Sequence, residues 1–245
     1  MKVVAVIPAR YKSSRFPGKP LVKISGVPMI IRVAERTSLA VGKENVVIGT
    51  ENEEIKRVCE AYGYKALITS DSCLTGTDRV WEIAQQLEAD VYVNVQGDEP
   101  IVDPADIHHV INEVPQSPGY VINGMKSLSA DEDPANINIP KVLTNSKGEL
   151  IYMSRLPIPG VKNIGVTTPV FKKQVCIYAF SFDALKAFGT QEKKGNAEFY
   201  EDIEILRFLE LGIPVKMVEM KSPSIAVDIP EDVSRVELWL KKNQL

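Results

Sequence analysis

The residues able to do chemistry in this sequence are grouped. Between the apolar run Val3–Ile7 and Leu21 lie Arg10, Lys12, Arg15 and Lys19, together with Ser13, Ser14 and Gly18. Backbone amides and cations converging just past the end of a first strand suit a polyphosphate. A solvated basic loop is the alternative, but four cations in so short a stretch are dense for a chain of net charge −3. The loop matches neither GxxxxGK[ST] nor GxGxxG, so it is a different solution to the same electrostatic problem. A second group, Gln96-Gly97-Asp98-Glu99-Pro100, follows the apolar run Asp90–Val95. An acid just past a buried strand is where a Mg²⁺ ligand is expected, because Mg²⁺ needs few protein carboxylates when phosphates supply the other oxygens. A plain turn is the alternative, since Gly-Asp and Glu-Pro both form turns. Asp228 likewise ends an apolar run.

Other chemistries find little support. The two histidines, His108 and His109, are adjacent, so on a helix they point about 100° apart and do not share one metal. That scarcity argues against a Ser-His or Cys-His nucleophile. Cys59, Cys73 and Cys176 have no zinc spacing and suit a reducing compartment. Bulk nucleic-acid binding does not fit an acidic chain. No signal-peptide pattern or long apolar run appears, so the expectation is a cytoplasmic protein without a membrane span.

The elements that position these groups follow from periodicity. Val3–Ile7, Asn45–Thr50, Ala66–Thr69 and Asp90–Val95 read as strands. Pro28–Leu39, Glu53–Tyr62 and Val80–Leu87 read as helices between them, and Pro104–Val114 as another after the fourth strand. This alternation predicts an α/β fold with a doubly wound, mostly parallel sheet. Val121–Met125, Lys141–Leu143, Leu150–Met153, Val175–Phe180 and Pro214–Val218 read as further strands. The hairpin at Asn145–Gly148 and the long Pro- and Gly-rich loop Ser154–Lys173 make the middle of the sheet mixed, with an antiparallel addition. Phe199–Leu211 reads as one amphipathic helix, with Glu201 and Glu204 on neighbouring positions of one face. Pro230 opens a last helix. One domain over 1–245 is expected, at an ordinary 44% hydrophobic and 25% charged residues.

Several stretches carry a family resemblance. IPARYKSSRFPGKPL, VQGDEP, the Thr75-Gly76-Thr77-Asp78-Arg79 start of a helix, and Val227-Asp228-Ile229-Pro230-Glu231-Asp232-Val233 resemble motifs of the sugar-acid cytidylyltransferases. Among these they look most like the 3-deoxy-manno-octulosonate (Kdo) cytidylyltransferases. The matches span almost the whole chain. The resemblance implies a nucleotidyltransferase-like fold in which CTP and a sugar acid are the substrates, Mg²⁺ the cofactor and a homodimer the assembly. The region of about 126–195 would form the dimer contact and one wall of the sugar pocket.

Carried residue by residue, the resemblance implies nucleotide contacts at Ala9, Arg10, Ser13, Arg15, Lys19, Thr75, Gly76, Thr77 and Arg79. On composition alone, Thr75 reads only as a helix N-cap. Asp98 and Asp228 would be the metal ligands, and with Arg10 and Lys19 the catalytic group. Gln96, Arg155, Gln174, Tyr178, Glu201 and Glu204 would hold the sugar. Arg155 suits a carboxylate because a guanidinium can bind it with two parallel hydrogen bonds.

The departures cluster in the sugar half. Gln174 stands where the family pattern has His, Val175-Cys176 where it has Leu-Gly, and Pro140 where it has Val. These changes suggest an acceptor such as the 8-amino-8-deoxy variant of Kdo. Two other classes remain in view. A nucleotide-sugar glycosyltransferase would share the sheet and a metal carboxylate, but usually shows a DxD-type pair. A non-catalytic nucleotide-binding regulator would not need both carboxylates and the whole basic loop.

Overall fold

The computed structural model describes residues 1–12, 16–162, 169–222 and 225–243. Its strands are β1 (Val3–Ala9), β2 (Lys23–Ile24), β3 (Val27–Pro28), β4 (Val46–Thr50), β5 (Lys65–Ile68), β6 (Val91–Val95), β7 (Val121–Ser127), β8 (Lys141–Thr144), β9 (Leu150–Ser154), β10 (Lys172–Phe180) and β11 (Val215–Glu219). Its helices are α1 (Met29–Val41), α2 (Glu53–Ala61), α3 (Gly76–Ala84), α4 (Pro104–Glu113), α5 (Phe182–Gly189), α6 (Asn196–Glu201), α7 (Ile205–Glu210) and α8 (Pro230–Asn243).

The main sheet runs β11-β7-β10-β6-β1-β4-β5, with β8 pairing β10 and β9 pairing β8. β1 pairs in parallel with β4 and β6, β4 with β5, and β7 with β11. β10 runs antiparallel to β6, β7 and β8, which makes the sheet mixed as expected. The short β-branched strands leave little polar surface on either face, so both faces must be covered. Alternate residues of β1 show how this happens. Ala5 and Ile7 face a core completed by Ile30, Ile31 and Val33 of α1, Ile55 of α2 and Ile107 of α4. Val4 and Val6 face the opposite core, with Val80 of α3, Leu185 and Phe188 of α5 and Leu206 of α7. A third cluster seats Val236 and Leu240 of α8 against Ile24 and Met29.

Three features differ from the periodicity. The helix α5 and the small β2–β3 ribbon are not marked by any hydrophobic periodicity described above. The ribbon turns at Ser25 and Gly26, both at positive φ. The single helix expected over Phe199–Leu211 is instead two, α6 and α7, broken where Asp202 takes a left-handed conformation, φ 50° and ψ 50°. The cause is Arg155: its Nε and one terminal nitrogen donate to the carbonyls of Glu201 and Asp202, which helical bonding would otherwise use. His108 and His109 are both exposed on α4.

β10 carries an irregularity between Val175 and Tyr178. Asn123 of β7, fully buried, fills it by donating from one amide nitrogen to the carbonyls of Val175 (3.0 Å) and Ile177 (2.9 Å). Bulges re-aim side chains beside sites. Here the bulge lies beside the end of β6, where the Gln96 amide donates to the Cys176 carbonyl.

Candidate active site

The chain ends of β1 and β6 open on one edge of the sheet, where ligands gather in open α/β folds. A cavity of about 610 Å³ lies there. The turn after β6 must pass close to β1: a Cβ on Gly97 would stand 2.8 Å from the Pro8 carbonyl oxygen. Glycine therefore lets Asp98 reach the cavity floor. Of the residues singled out in the sequence, Arg10, Lys19, Thr75, Gly76, Arg79, Gln96, Asp98, Arg155, Glu204 and Asp228 line this cavity together.

The tightest constellation joins three of them. Lys19 Nζ donates to Asp98 Oδ2 at 2.7 Å and to the Val227 carbonyl at 2.9 Å, and lies 3.9 Å from Asp228 Oδ1. Asp228 is brought in from the far end of the chain by two backbone devices. The Val227 amide donates to the Asp98 carbonyl at 2.9 Å. Asp232 Oδ2 accepts from the amides of Asp228 (2.9 Å) and Ile229 (3.1 Å). Burial opposes ionisation of Asp232, but those amides and Arg235 outweigh it and hold its carboxyl below the usual range.

The two carboxylates fit Mg²⁺ on the chemistry of their donors. Both present hard oxygens to one point, and the Lys19 ammonium already stands there as an internal cation. Among the described residues no group of three or more His, Cys, Asp or Glu could hold a metal alone. A cation here would therefore need oxygens from phosphate and water, which is how Mg²⁺ is commonly bound.

The remaining walls are set by side chains tied to backbone. Arg79 is 5% exposed and pairs with Glu51 at 2.7 Å while donating to Thr69 Oγ1. It joins the ends of β4 and β5 to the first turn of α3. Arg155 donates to the carbonyls of Ile137 (2.8 Å) and Asp202 (2.9 Å) as well as Glu201. Three of its five N–H donors are thus spent on positioning, leaving two for a ligand.

Other implied contacts do not reach the cavity lining. Ala9 and Thr77 are buried. Gln174 Nε2 donates to Asn123 Oδ1 at 2.9 Å, so its amide nitrogen faces the sheet. Glu201 accepts from Ser154 Oγ (2.7 Å) and the Arg155 amide (2.8 Å) and clamps the end of β9. Tyr178 is 3% exposed, and desolvation followed by its neighbour Cys176 raises its hydroxyl pKa well above the ordinary value. Ser13 and Arg15 lie outside the described residues. The sequence reading missed Asn138, Lys194 and Asp202 in the lining. All three lie outside helices and strands, where periodicity has nothing to report; Lys194 pairs with Asp202 at 2.6 Å.

Glu204 has a conflicted role. Its carboxylate accepts from the amides of Gly76 (3.2 Å) and Thr77 (2.8 Å) and from Thr77 Oγ1 (2.6 Å), closing the N-terminus of α3. Burial nevertheless dominates and raises its pKa. A carboxyl raised in this way stabilises the fold fully below the ordinary carboxylate range and loses that contribution as pH rises through the folded value. Glu204→Gln removes the titration. Urea unfolding at a series of pH values is therefore expected to favour wild type most at low pH and less as pH approaches neutrality. A difference independent of pH would contradict burial as the controlling influence.

A basic loop and paired aspartates at the carboxyl edge of a doubly wound sheet define a nucleotidyltransferase. Residues 4–219 match the family model described as cytidylyltransferase. Within that family the chain belongs to the 3-deoxy-manno-octulosonate cytidylyltransferases. It is 38% identical to the enzyme of that name from Solibacter usitatus (strain Ellin6076), across 100% of this chain and 96% of the relative. It is 36% identical to the mitochondrial one of Arabidopsis thaliana, across 100% and 85%. The solved structure of a CMP:2-keto-3-deoxy-manno-octonic acid synthetase complexed with CTP superposes with a TM-score of 0.90 at 34% identity, covering 99% of this chain and all of that one. The inositol-1-phosphate CTP transferase from T. maritima, at 13% identity and TM-score 0.72, shares the fold alone. Among the described residues, no helix is long and apolar enough to cross a membrane.

Proposed function

We propose that this chain transfers the cytidylyl group of CTP to a 3-deoxy-octulosonic acid, Kdo or its 8-amino-8-deoxy variant. The anomeric 2-hydroxyl oxygen attacks the α-phosphorus in line. The bond from α-phosphorus to the bridging oxygen breaks, pyrophosphate leaves, and the hydroxyl proton passes to solvent. No protein nucleophile is required, so catalysis is positioning and charge stabilisation. The observation that carries the reading is the convergence of Lys19, Asp98 and Asp228 beside Arg10 at one sheet edge.

Asp98 and Asp228 would hold Mg²⁺, which when bound supplies Lewis-acid neutralisation of the phosphates. Lys19 and Arg10 carry charge that can balance departing pyrophosphate. Arg155, with two N–H donors left over, offers them to the sugar carboxylate, and Gln96 faces the same space. Asp202, paired with Lys194 at the cavity edge, is the acidic group an acceptor carrying an ammonium would meet there. A cytoplasmic homodimer supplying lipopolysaccharide or capsule precursors completes the reading.

Pyrophosphate release from CTP and Mg²⁺ tests it, with Kdo and 8-amino-8-deoxy-Kdo compared at subsaturating concentration. Turnover of either supports cytidylyl transfer, and the ratio between them assigns the acceptor. Release with neither sugar would refute the reading.

A further inference from the structure

Behind the cavity wall lies a buried charge network that the proposed chemistry does not use. Arg207 of α7 is 1% exposed, and Glu198 of α6 is fully buried. Arg207 Nε and one terminal nitrogen grip both Glu198 oxygens at 2.6 and 2.7 Å. Its other terminal nitrogen donates to Asp78 Oδ1 at 3.0 Å and to the Phe188 carbonyl at 3.3 Å. The guanidinium carbon stands 3.7 Å from the centre of the Phe188 ring. Asp78 then reaches the cavity: its Oδ2 accepts from the Thr75 amide and the Thr75 hydroxyl, both at 2.7 Å. Thr75 lines the site.

We infer that Arg207 is a positioning residue for the nucleotide, acting through Asp78 on the Thr75–Gly76 turn. A carboxylate is planar, so the guanidinium nitrogen that pins Oδ1, itself held in place by the fork on Glu198, also fixes where Oδ2 points. Asp78 keeps some solvent exposure. Without Arg207 its carboxylate can turn outward, the box it forms with Thr75 loosens, and the wall shifts. The branch to Glu198 runs the other way, into the α6–α7 packing.

The inference rests on CTP being the substrate, and the experiment separates the two. Steady-state constants for CTP and for the sugar acid are measured for wild type, Arg207→Lys, Asp78→Asn, their double variant and Glu198→Gln. Lysine keeps the charge but not the fork. Arg207→Lys is expected to raise KM for CTP about fivefold, with kcat and the sugar-acid KM within about twofold. Asp78→Asn should do the same, and the double variant no more than the larger single one. Glu198→Gln should lower the thermal midpoint and leave KM for CTP within about twofold. Where Arg207→Lys does not fold, Arg207→Gln, a neutral donor to Asp78, replaces it with the same expectation. An unmoved KM for CTP, multiplicative single effects, or a Glu198→Gln shift equal to that of Arg207→Lys would overturn the role. Absence of wild-type CTP turnover would instead overturn the proposed function.

Discussion

Asp98→Asn is expected to lower the rate of pyrophosphate release by about a thousandfold while the protein stays folded. Asp98 lies at the cavity floor with its side chain 29% exposed, and its contact with Lys19 is made at the edge of the sheet, outside the apolar layers. Asparagine keeps the shape and one carbonyl oxygen but removes the charge that a divalent cation needs. Asp228→Asn, whose side chain is 40% exposed, should show the same defect more mildly, with part of the loss recovered at high Mg²⁺. Initial rates across a Mg²⁺ titration, with circular dichroism as the control for folding, make the check. Retention of a tenth or more of wild-type turnover in Asp98→Asn would sink the two-carboxylate site.

Glu198→Ala should produce the largest loss of stability, about 3–5 kcal/mol. Against a typical domain stability of about 5–15 kcal/mol that is severe. The substitution strands the Arg207 guanidinium in the core with Asp78 as its remaining carboxylate. Arg207→Met alone should be comparably damaging, because it leaves buried Glu198 unpaired. The double variant Glu198→Met/Arg207→Met is expected to recover much of the loss, since the fully buried pair is removed together and Asp78, partly exposed, can turn to solvent. Urea unfolding of the three variants decides the matter. Simple addition of the two single losses would show that the pair is not the source of the effect.

The sheet was legible because its strands are short, apolar and β-branched, and each ends on a turn or an ionic loop. Asp98 and Asp228 were legible for the same reason: a charged residue immediately after a buried run is conspicuous. The break between α6 and α7 was not. Apolar residues at Ile203, Leu206 and Leu209 keep helical spacing across it, and no Gly or Pro interrupts them. The interruption comes from Arg155, distant in sequence, taking the carbonyls of Glu201 and Asp202. With the helix broken, Glu201 and Glu204 no longer share a face. One clamps β9 and the other caps α3. The partners of Arg207, Asp78 and Phe188, belong to other elements, and local spacing says nothing of them. Gln174 was read as a sugar contact from its place in the motif; the bulge and Asn123 decide where its amide goes.

The stitch between Val227 and Asp98 has a consequence for biosynthesis. A polypeptide halted after β11 could lay down every strand of the sheet and still lack Asp228, the carboxylate beside Lys19. Contacts this distant along the chain are slow to form. Competence for metal-assisted transfer would therefore arrive late, when the C-terminal helix seats on Ile24 and Met29. Fraying of that helix would uncouple Asp228 from Lys19 without disturbing the sheet, so inactivation on mild heating is expected to precede loss of the bulk secondary structure.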